Sequence, residues 1–175
     1  MQTDLARDVS SDAAWWGSGV YSQALDWPLP LRAGPFRRFV EIPGGRGRLI
    51  FEWEGEEPAW VGPSLNALAE SLALPANWDS YGACRVDPRS VESAGQALCS
   101  LMGSDTIPPT VVPTVHGGLQ LEWHAQGIDL EIEFPPAGRD YVYCRDHREK
   151  TEWEGEFTFS LNRLRGVLQQ LSHRS

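Results

Sequence analysis

The stretch LQLEWHAQGIDLEIEF, residues 119–134, gathers Glu122, His124, Asp129, Glu131 and Glu133. Carboxylates and an imidazole can ligate a divalent cation, move protons or pair with Lys and Arg side chains. Strict apolar/polar alternation on both sides of Gln126-Gly127 reads as two strands joined by a two-residue turn, with Gly supplying the positive φ such turns need. The register follows from that turn. Ala125 faces Ile128, His124 faces Asp129, Trp123 faces Leu130, Glu122 faces Glu131, Leu121 faces Ile132 and Gln120 faces Glu133. One face is then Leu119, Leu121, Trp123, Ile128, Leu130, Ile132 and Phe134, which must be core, and every acid lies on the other.

His124 with Asp129 makes a good pair. Glu122 against Glu131 does not, since like charges directly opposite cost a few tenths to ~1 kcal/mol. The next strand offers ordinary partners. A short loop after Phe134 sets Glu133 opposite Arg139, Glu131 opposite Tyr141 and Asp129 opposite Tyr143, with Val142 opposite Leu130 and Cys144 opposite Ile128 on the core side. The acidic face is then a solvated sheet face. Two functional readings stand beside that one. A metal site would use Glu122, His124, Asp129 and Glu131, although side chains on a flat sheet diverge and no H-x-H, HExxH or D-x-D motif is present. A basic protein surface needs no convergence.

A second polar constellation is NWDSYGA, residues 77–83. Asp79 and Ser80 suit Asx- and ST-turns, and Gly82 suits a conformation other residues resist. Trp78 is expected to plug the core between two helices and the sheet. The functional version sets Asn77, Asp79 and Tyr81 beside the acidic hairpin as one polar site. This loop, followed by a helix and then by PTVHGGLQLEWHAQGIDLEIE (113–133), resembles a family of small bacterial proteins with no known activity. The likeness covers residues 74–135. It implies a prokaryotic source and brings no catalytic residues.

Other chemistry is thinly represented. Cys84, Cys99 and Cys144 are widely spaced, with no CxxC, so neither a zinc ribbon nor a disulfide framework is expected. Cys99 and Cys144 fall at core positions, and Cys84 with His116 or His124 is the one conceivable thiol/imidazole pair. G-x-S-x-G, phosphate-loop and dinucleotide motifs are absent. PGGRGR (43–48) reads as a hairpin turn rather than an anion cradle.

The elements that must position these groups can be read along the chain. Residues 1–35 lack a sustained period, carry Pro28, Pro30 and Pro35, and hold Trp15, Trp16, Tyr21 and Trp27. They read as an irregular arm lying on a surface, with Trp15 and Trp16 as partner-contact candidates. FRRFVEI (36–42) and RLIFEWE (48–54) form a hairpin across a Gly-rich turn. A helix follows with Pro63 in its first turn and Leu65, Leu68 and Leu72 on one face, ending before Pro75. The next helix has Asp87 as N-cap, Pro88 at its first position, Val91, Ala94, Leu98 and Leu101 as its stripe and Gly103 as C-cap. Runs at 110–115, 119–125, 128–134 and 139–145, with 151–157 as a further one, form a meander. A helix at about 160–172 closes the chain on Leu161, Leu164, Leu168 and Leu171.

The expected class is therefore α+β: an antiparallel β-meander packed against about three helices, one domain over residues 36–175 with the arm before it. The chain has 175 residues and a net charge of -9. That charge disfavours direct binding to nucleic acid or an anionic membrane. No apolar leader or run of membrane-spanning length occurs, so a cytoplasmic protein without cofactor is expected. The leading expectation is a non-enzymatic accessory, antitoxin-like or inhibitor-like, docking on a basic protein, including one that itself binds nucleic acid. The alternatives are a metal-dependent hydrolase or nuclease on the acidic face, and a structural subunit of a larger assembly.

Overall fold

The computed structural model describes residues 20–22, 36–42, 47–53 and 55–173. Trp15 and Trp16 lie outside them. Among the described residues the elements run β1 (Val20–Ser22), β2 (Phe36–Ile42), β3 (Gly47–Trp53), α1 (Val61–Ala73), α2 (Pro88–Leu101), β4 (Thr110–Pro113), β5 (Leu119–Ala125), β6 (Ile128–Phe134), β7 (Tyr141–Asp146), β8 (Thr151–Glu156) and α3 (Phe157–His173). The class is α+β, as expected. One difference lies in the arm: Val20–Ser22 is not irregular but pairs antiparallel with β3, Val20 opposite Phe51.

β4 to β8 form a five-stranded antiparallel meander, and β1, β3 and β2 form a separate three-stranded sheet. α1 and α2 lie between the two sheets, α1 touching β2 and β4. α2 packs on β1 and β3 with one side and on β5 and β6 with the other, while α3 covers β7 and β8. α2 approaches β3 so closely that a Cβ on Gly95 would sit 3.1 Å from a Leu49 methyl. Asp87 caps α2 by accepting the Arg89 N–H at 2.8 Å, with Pro88 at the first position. Leu49, Leu68, Val91, Leu98, Leu119, Leu121, Leu130, Ile132, Phe134 and Val142 are fully buried in one continuous core. Cys99 and Cys144 are buried there too, and burial pushes the Cys99 thiol up to about 12, whereas Cys84 is exposed.

Three local expectations are corrected. Trp78 does not fill the core. It is half-buried and donates its indole N–H to the Cys84 carbonyl at 3.2 Å. The indole buried against the first hairpin is Trp60, 1% exposed, edge-on to Phe51 and donating to the Gly103 carbonyl at 2.9 Å. Gly103 is not the C-cap of α2. The helix ends at Leu101, Met102 turns extended, and its N–H bonds the Leu98 carbonyl. α3 begins at Phe157, three residues before Ser160, because Phe157 stacks edge-on against Phe134 and its N–H reaches the Asp140 carbonyl.

The two indoles predict different mutational costs. Trp60→Ala should lower the unfolding free energy in urea by about 3–5 kcal/mol, as for a buried aromatic. Trp78→Ala, at a half-exposed position, should cost less than half as much. Equal losses would place Trp78 in the core after all.

Candidate functional site

The hairpin carrying the site adopts the expected register at every position from Leu119↔Phe134 to Ala125↔Ile128. Gln126 (φ 56) and Gly127 (φ 79) are both left-handed, the backbone of a type I′ turn. The Gln126 amide donates to the Leu171 carbonyl at 3.0 Å, which ties the turn to the end of α3. Glu122 does stand opposite Glu131, and the clash is relieved by one diagonal cross-strand partner and one partner on the same strand. Glu131 accepts from the Gln120 amide at 2.8 Å, and Glu122 meets His124 Nε2 at 3.2 Å.

The β6–β7 pairing differs from expectation by two residues. Glu133 faces Tyr141, Glu131 faces Tyr143, Asp129 faces Arg145 and Leu130 faces Cys144. A two-residue slip preserves which face each side chain occupies, so alternation cannot detect it. The longer connection, residues 135–140, decides it. The slip brings a guanidinium rather than a phenol opposite Asp129, and the continuing turn brings His147. His147 Nε2 lies 2.6 Å from Asp129 Oδ2, and His124 Nδ1 lies 2.9 Å from Asp129 Oδ1.

Glu122, His124, Asp129 and His147 thus form a hydrogen-bonded row at the exposed corner of the sheet. Both ring nitrogens of His124 face carboxylates, and only the imidazolium has two N–H groups to donate. The bond to Asp129, then that to Glu122, accordingly raises the His124 pKa despite partial burial. The bond from His147, then that from His124, lowers Asp129. This arrangement engages both ring nitrogens of His124, and among the described residues no group of three His, Cys, Asp or Glu is placed to hold an ion.

The outer face is wider than the hairpin. β8 pairs with β7 as Tyr141↔Glu156, Tyr143↔Glu154 and Arg145↔Glu152, so three more glutamates join the face. Sequence reasoning left them out of the candidate set, although the alternation in TEWEGE carried the signal. His147 carried none, since a turn residue has no period. The face now holds Glu122, Asp129, Glu131, Glu133, Glu152, Glu154 and Glu156, with Arg145 the guanidinium in their midst. Arg139 pairs with Glu156 at one end. A bond to Glu154 raises the Tyr141 phenol pKa, and burial, then Glu152, raises that of Tyr143.

The NWDSYGA loop lies elsewhere. Asp79 accepts the N–H groups of Tyr81 (2.8 Å) and Ala83 (3.0 Å), which holds its carboxyl below the ordinary value, and the Asn77 side chain accepts from Gly82 N–H at 2.7 Å. Asn77, Ser80 and Gly82 are left-handed. The loop is tethered by Cys84 N–H to the Val115 carbonyl and Asp87 N–H to the Gly117 carbonyl, at the end of β5 remote from Gly127. At ~3.3 Å per residue, His124 is about 20 Å farther along the strand. No hydrogen bond or ion pair among the described residues joins Asn77, Asp79 or Tyr81 to the acidic row, so the single combined site is not formed. Tyr81, 94% exposed, stands at the loop tip.

No family model matches the chain, and neither a curated protein nor a solved structure proves similar to it. Among the described residues no helix is long and apolar enough to cross a membrane.

Two predictions test this geometry. A raised folded-state pKa means that His124 stabilises the fold below its unfolded value of ~6.5 and loses that contribution as pH rises through the folded value. Asp129 acts oppositely, stabilising above ~4 and losing its contribution as pH falls through its lowered pKa. NMR titration should find His124 above the ordinary histidine value in the native chain and shifted down in Asp129→Asn; an unchanged His124 titration in that variant contradicts the row. Glu131→Gln should raise stability at low salt by a few tenths to ~1 kcal/mol, with the gain fading as salt screens Glu122. A gain independent of salt would assign it to something other than charge.

Proposed function

We propose that this chain is a non-enzymatic protein-interaction module whose outer sheet face docks on a basic surface of a partner protein. The observation that carries the reading is the seven-carboxylate face of β5 to β8, where Glu122 opposes Glu131 and one guanidinium, Arg145, stands in the midst of the acids. Side chains on a flat sheet project in parallel. Such an array suits a spread of Lys and Arg side chains better than a single converging ion. The chain's net charge of -9 adds long-range attraction for a basic partner and repulsion for phosphate. An accessory of the inhibitor or antitoxin type fits this chemistry, and its partner can be a protein whose basic surface otherwise holds nucleic acid.

The face is flanked by groups that keep it charged. The bonds from His147 and then His124 lower the Asp129 pKa and favour its ionised form. Glu122 and Asp129 are partly offset by His124 when it is protonated, so the face becomes more negative as pH rises through the raised His124 pKa.

The test uses the full chain beside a folded variant carrying Glu122→Lys, Glu131→Lys and Glu154→Lys. Partners captured by the native chain at low salt should be released by added salt. The variant should bind them at least ~10-fold more weakly, a difference of about 1.4 kcal/mol or more. Retention of the same proteins by both chains, at any salt, rules the face out as the docking surface.

A further inference from the structure

The meander ends in two strands with free edges among the described residues, and the two edges differ. β4 is four residues long, finishes in Pro113, which has no N–H, and is backed by α1. β8 has six residues, TEWEGE, and no proline. The hydrogen-bonding phase of β8 can be read from one bond. Phe157 N–H donates to the Asp140 carbonyl at 2.9 Å, so residues 157 and 140 form a hydrogen-bonded pair. In an antiparallel ladder such pairs alternate with non-bonded ones. Gly155 with Val142 and Trp153 with Cys144 are then bonded pairs, while Glu154 with Tyr143 and Glu152 with Arg145 are not. The residues of non-bonded pairs direct their backbone groups to the opposite side of the strand.

Glu152 and Glu154 therefore aim both N–H and C=O off the open edge. Glu156 aims its N–H there, its carbonyl being held by the Ser160 hydroxyl at 2.8 Å. The same residues carry their carboxylates on the outer face. A strand added along this edge makes its close backbone pairs with glutamates, and its residues directly opposite them stand on the same face about 5.5 Å away between Cα atoms. A second copy of β8 is a poor occupant, because every antiparallel register that uses these groups sets glutamate against glutamate. A strand with Lys or Arg at alternate positions fits both the ladder and the charge.

We propose that the β8 edge receives an extended segment of the basic partner, added as a sixth strand with Lys or Arg opposite Glu152, Glu154 and Glu156. This rests on the docking reading above and specifies the element that the partner contributes. Affinity comes from main-chain bonds and selectivity from the alternating cations, the division of labour in strand addition.

The experiment follows backbone amide exchange in the full chain with a synthetic peptide of alternating lysine and threonine. In the free protein the Glu152, Glu154 and Glu156 amides should exchange fast. The peptide should slow them at least ~10-fold while leaving Trp153 and Gly155, already bonded to β7, little changed. N-methylation at the lysine amides should abolish binding, and N-methylation at the threonine amides should spare it. Binding without protection of the three amides, or equal binding by both methylated peptides, overturns strand addition and leaves docking on the flat face standing. Concentration-dependent protection of these amides in the free chain overturns the proposal in favour of self-pairing. Failure of the peptide to bind at low salt overturns strand addition and the docking reading together.

Discussion

Two consecutive left-handed residues, Gln126 and Gly127, decide more of this molecule than any other pair. A two-residue turn admits one register, and register fixes parity. With that parity, seven apolar side chains of β5 and β6 enter the core and every acid of the hairpin leaves it. A slip of one residue would invert all of them at once. The turn is not left to propensity alone, since Gln is a less natural occupant of left-handed space than Asn or Gly. Its side chain is secured to the Leu171 carbonyl, so the last turn of α3 helps hold the hairpin in phase.

Around that hairpin, burial is strong enough to tolerate electrostatic conflict. Each of Leu121, Leu130 and Ile132 is fully buried, and burying a side chain of this size is worth about 1.5–3 kcal/mol. A like-charge pair costs at most ~1 kcal/mol. The sheet can therefore carry Glu122 against Glu131, provided each acid finds another neighbour, as Gln120 supplies on the diagonal and His124 along the same strand. Asp146 shows the same logic on the inner side. It is nearly buried, and its carboxylate accepts the N–H groups of Arg148 and Glu149, so it serves the turn that carries His147 to Asp129.

What could be read from residues alone was whatever depends on period and on local turn chemistry. The α+β class, the Asp87-Pro88 helix start, the hairpin register and the Asx-turn at Asp79 all have local causes. What could not be read depends on distance along the chain or on evenness. The β6–β7 register slipped by two because both registers satisfy the same alternation, and only the length of the connection at residues 135–140 distinguishes them. Trp78, expected in the core, is not there; Trp60, for which the pattern gave no role, is buried instead. Its place beside Phe51 and the Gly103 carbonyl is set by tertiary packing, which no local pattern records. The acidic face was half visible: β5 and β6 announced it, while β8 looked like an optional extra strand, so Glu152, Glu154 and Glu156 were not counted.

The three thiols occupy very different surroundings. Cys84 is open to solvent beside the loop that displays Tyr81, while Cys99 sits in α2 and Cys144 in β7, both enclosed, the former with its pKa pushed up to about 12. Alkylation requires the thiolate and a path for the reagent. A maleimide dye added to the native chain therefore marks Cys84 first, giving a fluorescent reporter next to an exposed tyrosine without any engineering. Slower modification of the other two waits for the layers around them to part, and its rate becomes a clock for that excursion.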